Sequence, residues 1–131
     1  MYPVLVCSKS KEGNKSLSDN FKVREFACQD GSDRILISLL LVDKLQMIRN
    51  HFQAPVIITS AYRTESHNKM VRGASKSTHM DGIAADIVVQ GVTPAKVAAY
   101  ANTLMQESGG IGEYRGFVHI DMRLEKARWQ G

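Results

Sequence analysis

The sequence predicts an α+β fold in one domain spanning residues 1–131, on three observations. Short β-rich runs and two longer amphipathic stretches are mixed without a regular βαβ alternation. A length of 131 residues suits one domain. No internal repeat, low-complexity segment or linker divides the chain. A domain of this size buries on the order of two-thirds of its unfolded surface, so it needs no disulfide framework. Its two cysteines, Cys7 and Cys28, are far apart and outside any CxxC pattern. They leave pairing open and argue against a cysteine zinc site.

Taken in order, residues 1–16 start apolar and turn polar, and read as an N-terminal arm or short strand followed by a loop. Ser18 or Asp19 caps a short turn, with Phe21, Val23 and Phe26 as core anchors. Asp30-Gly31-Ser32-Asp33 is a turn into the main core helix, expected over 33–51 with Ser32 or Asp33 as N-cap. Its apolar positions, from Ile35 to Phe52, recur at spacings of three and four. His51 at its end reads as a surface cation facing the helix dipole.

Residues 55–60 form a strand introduced by Pro55. Thr64 caps a short helix over 65–72, closed by Gly73. His67, within it, reads as a residue near solvent or outside any ligand set. Residues 84–89 are a second strand. Thr93-Pro94 opens a helix over 94–106, with a capping hydroxyl and proline at the first helical position. Residues 110–114 and 116–122 are two strands around a turn at Arg115-Gly116. Residues 123–131 are basic, and Trp129 is expected to pack back on the body.

The chain carries 17 Lys and Arg against 13 Asp and Glu, a net charge of +4, and a pI of about 9.2. That balance favours an anionic polymer, either nucleic acid or an acidic bacterial wall. The basic residues are scattered and no aromatic residues interleave with them, so nucleic-acid binding is not expected. No apolar run reaches the ~20 residues of a membrane span, and the first residues lack the pattern of a signal peptide. The protein is expected to be made in the cytoplasm, to need a separate route out, and to be a monomer.

Two stretches carry chemistry. Ser77-Thr78-His79-Met80-Asp81-Gly82-Ile83-Ala84-Ala85-Asp86 places a histidine and a carboxylate around a glycine that lets the chain turn back. Phe117-Val118-His119-Ile120-Asp121 alternates polar and apolar, so His119 and Asp121 share one face of a strand. One reading is a zinc ion on His79, Asp86 and His119, with a fourth position for water. The other is a buried His–Asp hydrogen bond without metal. Arg63 is either a surface arginine or a guanidinium for a substrate carboxylate or an oxyanion. Ser77 is either a turn former or a substrate contact.

These residues together resemble the zinc D-Ala-D-Ala peptidase family. The match is SxHxxGxAxD at Ser77, His79, Gly82, Ala84 and Asp86, with Ser60-Ala61-Tyr62-Arg63 upstream and the His119 stretch downstream. The resemblance implies a small antiparallel sheet with flanking helices, shared with the hedgehog signalling domain. It implies Zn2+ on His79, Asp86 and His119, and substrate contacts from Ser77, Arg63 and Tyr62. It implies hydrolysis of a bond in the peptidoglycan stem peptide at the cell wall. The expected type is a D,D-carboxypeptidase. The alternatives are an L-Ala–D-Glu endopeptidase of phage endolysin type, and an inactive zinc-stabilised wall-binding module. The family's ExxH glutamate is absent: that position is Gly116, and the residue two before His119 is Phe117. Asp121, as base or as the residue orienting the zinc ligand, and Glu113 are the remaining carboxylate candidates for a catalytic role beside Arg63.

Overall fold

The computed structural model describes residues 3–131. Met1 and Tyr2, the start of the expected arm, lie outside them. The rest of the arm forms strand β1 (Leu5–Ser8) and a one-turn helix α1 (Lys9–Glu12), capped by the Ser8 hydroxyl. A small hairpin, β2 (Ser16–Ser18) and β3 (Phe21–Lys22), leads into a tight 3-10 turn over Val23–Phe26. Phe21, Val23 and Phe26 are all buried.

The expected helix over 33–51 begins later. Residues 34–37 are strand β4 (Arg34–Ile37), paired antiparallel with β1 through Leu5↔Ile37 and Cys7↔Ile35. Helix α2 (Leu39–Phe52) follows, with Ser38 as its N-cap, the Ser38 hydroxyl accepting from Leu41 N. The stretch from Ile35 to Leu41 is apolar apart from Ser38. Such a run fits a strand or a helix by pattern, and the β1 partner decides between them. Cys7 and Cys28 are buried free thiols.

The site rests on a five-stranded sheet. Its members are β5 (Val56–Ser60), β6 (Ala84–Val89), β7 (Gly110–Glu113), β8 (Val118–Asp121) and β9 (Ala127–Gln130). The strand order is β5-β6-β8-β7-β9. Four strands are mutually antiparallel, as expected, and β9 adds one parallel pair with β7. Helix α3 (Glu65–Met70) lies between β5 and β6, and α4 (Pro94–Met105) between β6 and β7. The helix expected over 65–72 ends at Met70, and the left-handed residue beyond it is Arg72, with φ 57°, not Gly73. Gly73 serves a close approach instead: a Cβ there would run into the Asn68 side chain.

Alternation along the strands separates two faces. Ala85, Ile87, Val118, Ile120 and Ile111 point toward α2 and α4 and belong to the core. The isoleucines and Val118 among them each contribute about 1.5–3 kcal/mol on burial. The opposite face carries a single row across all five strands: Ser60, Asp86, His119, Gly112 and Trp129.

Candidate metal centre

Each expected ligand is placed by a different element. Asp86 and His119 are register partners on β6 and β8. His79 comes from the turn before β6, where Gly82 at φ 74° lets the chain reverse. That turn is pinned to the body, since Arg63 N donates to His79 O at 3.1 Å and Ser38 N to Gly82 O at 2.9 Å. One ligand atom from each of His79, Asp86 and His119 lies within 4.8 Å of the others, and all three residues are buried.

The hydrogen bonds behind the histidines decide which nitrogens face inward. His79 Nδ1 is 2.7 Å from the Ala61 carbonyl oxygen, which only accepts, so Nδ1 carries the proton. Its Nε2 is left 3.3 Å from Asp86 Oδ1. His119 Nε2 donates to Asp121 Oδ2 at 2.8 Å, and its Nδ1 faces Asp86 Oδ1 at 2.9 Å. Two imidazole nitrogens therefore converge on one carboxylate oxygen, and two lone pairs beside an anion need a cation or a proton between them. Two nitrogens and a carboxylate are a zinc donor set of the catalytic three-ligand kind. An oxygen partner on the outer nitrogen of each ring is what metal-bound histidines require. The residues fit zinc.

Asp121 is completely buried and stands behind His119, on the side away from Asp86. It also accepts from Arg123 Nε at 2.8 Å, Arg123 Nη2 at 2.7 Å, Gly110 N at 3.1 Å and Thr78 Oγ1 at 3.2 Å. Burial alone would raise its pKa, but the bonds from His119 and Arg123 outweigh it and hold the carboxylate well below its usual range. Burial acts likewise on Asp86, and its hydrogen bonds to His119 and His79 bring the pKa down to about 2.

Not every candidate joins this cluster. Glu113 pairs with Val118, one step out of phase with Gly112↔His119, so it points to the other face of the sheet. There it lines a groove beside α4 with Ala98 and Arg128. Tyr62 is buried and lines a neighbouring cavity, not the one over His119. Arg63 does join: its Nη2 is 3.6 Å from Asp86 Oδ2, its Nε donates to Ser60 Oγ, and its Nη1 donates to Asn68 Oδ1. Ser77 lines the same cleft, and its Oγ accepts from His79 N at 3.2 Å.

The cleft over the ligands has a volume of about 620 Å³. Arg63, Arg72, Lys76 and Arg123 line it, against Tyr114, Phe117 and Trp129, and Asp86 is its only carboxylate among the described residues. Three contributors were not read from the sequence. Thr78 and Arg123 fix Asp121, and Asn68 fixes Arg63. The legible signal was the pair Gly110 and Gly112, spaced two apart on a strand, which marks close approach on one face. A Cβ at Gly110 would lie 2.4 Å from Asp121 Oδ2, and one at Gly112 would meet the Trp129 indole.

A family model described as peptidase M15 matches residues 16–121. The chain belongs to the peptidase M15 family. Membership makes it a metallopeptidase acting on a peptide substrate, and M15 peptidases are zinc-dependent. The M15 assignment agrees with the resemblance seen in the residues and with the mixed fold of small sheets and four helices. The M15 match spans all three candidate ligands and ends on Asp121. No curated protein matches the chain. No helix among the described residues of this M15 protein is long and apolar enough to cross a membrane.

Proposed function

We propose that this M15 peptidase hydrolyses a peptide bond in the stem peptides of bacterial peptidoglycan, acting at the cell wall as a D,D-carboxypeptidase. The carrying observation is the His79–Asp86–His119 cluster at the base of a cleft whose other charged walls are cationic. Such a cleft suits a peptide bearing free carboxylates.

Zn2+ held by His79, Asp86 and His119 would supply a bound water of lowered pKa and a charge for the developing oxyanion. The chain's own residues do the rest. Ala61 O and Asp121 hold protons at His79 Nδ1 and His119 Nε2, which keeps the opposite nitrogens turned inward. In this reading Asp121 positions His119 and does not itself meet the water. Arg63, braced by Ser60 and Asn68, presents its guanidinium beside Asp86 to a substrate carboxylate or oxyanion. Ser77 offers its hydroxyl to the substrate from the cleft wall. The Trp129 indole, 5.3 Å from the His119 ring between centroids, shields that flank from water.

One observation favours an endopeptidase. A second cavity, lined by Tyr62, Arg34 and Lys69, shares Arg63 and Gly73 with the cleft, so room for a peptide continues past Arg63. Mass spectrometry of stem peptides and cross-linked muropeptides, with and without a chelator, separates the two. Chelator-sensitive loss of terminal D-Ala supports the carboxypeptidase, and a chelator-sensitive internal cut supports the endopeptidase. Intact substrates with zinc-loaded protein would remove both. His119→Ala is expected to abolish zinc binding and cleavage together.

A further inference from the structure

The Tyr114 hydroxyl stands on the cleft wall with its acceptor side filled and its proton uncommitted. Trp129 Nε1 is 2.9 Å from Tyr114 Oη. An indole nitrogen only donates, so the phenol oxygen accepts this bond and keeps its own O–H free to donate. No described residue takes that proton. Two neighbours hold the ring. It stacks on Phe117 with centroids 4.5 Å apart and planes 7° from parallel, and a Cβ at Gly131 would strike it. A phenol so fixed loses little entropy when it meets a ligand.

Its position relative to the metal centre follows from the register. Gly112 pairs with His119, and Tyr114, two residues on, falls on the same face with Phe117 opposite. That is roughly 7 Å further along the strands, the length of two extended residues. A peptide laid along these strands with its scissile bond over His119 would carry a neighbouring peptide unit past Tyr114.

We propose that the Tyr114 hydroxyl donates a hydrogen bond to a backbone carbonyl of the bound peptide, one or two residues from the cut bond, and that Trp129 positions it. The chemistry it recognises is a main-chain carbonyl, so it reads the presence of a peptide and not its side chains. This rests on the stem-peptide reading above.

Calorimetric titration of zinc-loaded protein tests it. The probe is the stem peptide with a methylene-amine link at the bond that mass spectrometry finds cut, or the intact stem peptide where none is cut. Tyr114→Phe is expected to weaken binding by about 3–10-fold, the value of one neutral hydrogen bond, with zinc content unchanged and Tm lower only by the loss of the Trp129 bond. Trp129→Phe keeps a ring beside His119 but removes the donor. It is expected to weaken binding by less, and to add nothing to Tyr114→Phe. A probe with a thioamide, a poor acceptor, at the neighbouring peptide unit is expected to bind both Tyr114 forms alike. Wild-type protein that binds no stem peptide overturns the stem-peptide reading and this proposal together. Binding to wild type that Tyr114→Phe leaves unchanged overturns this proposal alone, as does an equal loss on the thioamide probe. A loss accompanied by lower zinc content makes Tyr114 a packing residue. Should Tyr114→Phe not fold, Trp129→Phe with unaltered affinity overturns the proposal.

Discussion

At His119 both ring nitrogens face carboxylates, yet only one of the two carboxylates lines the cleft. Asp86 sits at the converging side, and Asp121 sits behind the ring with both oxygens fully engaged. This division predicts how Asp121→Asn behaves. The amide keeps the shape of the carboxylate but offers one acceptor oxygen in place of two. Either His119 Nε2–H or an Arg123 donor then faces an NH2 group. Zinc affinity is expected to fall about 10–100-fold, as for loss of an outer hydrogen-bond partner of a metal-bound histidine. Competition against a fluorescent chelator measures this. Cleavage at saturating zinc is expected to persist at a reduced rate. Complete loss of cleavage by a fully zinc-loaded Asp121→Asn protein would instead give Asp121 a direct part in the reaction. Arg63→Lys tests the other wall of the site. A lysine keeps the charge but cannot span Ser60, Asn68 and Asp86 at once. A fall of about 10²–10³ in kcat with zinc content unchanged is expected if Arg63 meets the developing oxyanion. A change confined to KM would place it on the ground-state substrate.

Among the elements, the turn between His79 and β6 carries a backbone-to-backbone constraint. Gly82 has φ 74°, and a Cβ there would lie 2.7 Å from the Leu36 carbonyl oxygen. Gly91 has a similar φ of 77° with nothing within 4 Å of an added Cβ. Gly91→Ala is therefore expected to lose about 1 kcal/mol, the backbone cost alone. Gly82→Ala is expected to lose about 2–5 kcal/mol, because strain and overpacking add, and to weaken zinc binding through His79. Urea unfolding of the two variants makes the comparison. Equal losses would remove the close approach to Leu36 from the argument. The same elements explain what the sequence allowed to be read. Thr93-Pro94 announces α4 by local chemistry, and the alternation around His119 announces β8, so both were legible. The strand β4 was not, because an apolar run without polar alternation takes its form from β1, a partner distant in sequence. Strand β9 was missed for a like reason: Arg128 and Trp129 pair in parallel with β7 across a long separation. The ligand set was legible because its three residues lie in two compact motifs. Thr78, Asn68 and Arg123 act through side chains whose targets only the assembled sheet brings near.

For the whole molecule, the buried cluster couples folding to both protons and metal. In zinc-free protein, burial opposes a charged His119, but hydrogen bonds to Asp121 and Asp86 outweigh it and raise the pKa. A raised histidine stabilises the fold fully below its unfolded value of about 6.5, and that contribution is lost as pH rises through the folded value. Asp86, at about 2, and Asp121 are depressed. Their contribution is present above the unfolded carboxylate value of about 3.9, and is lost as pH falls through the folded values. Zinc-free protein is therefore expected to be most stable between about pH 4 and 6.5, and to lose Tm on both sides. Zinc held by His79, Asp86 and His119 would reverse the alkaline limb, because it competes with the proton on His119. At a zinc concentration 100 times Kd the gain is about 2.7 kcal/mol, and Kd itself tightens as His119 loses its proton. The Tm increment on adding zinc should then be small near pH 5.5 and grow toward pH 8. Thermal melts at pH 5.5, 7 and 8.5, with chelator and with zinc, give the increment directly. An increment that does not change with pH would mean that zinc binds away from His119. In His119→Ala the increment should vanish at every pH, which ties the coupling to this cluster and not to the overall positive charge.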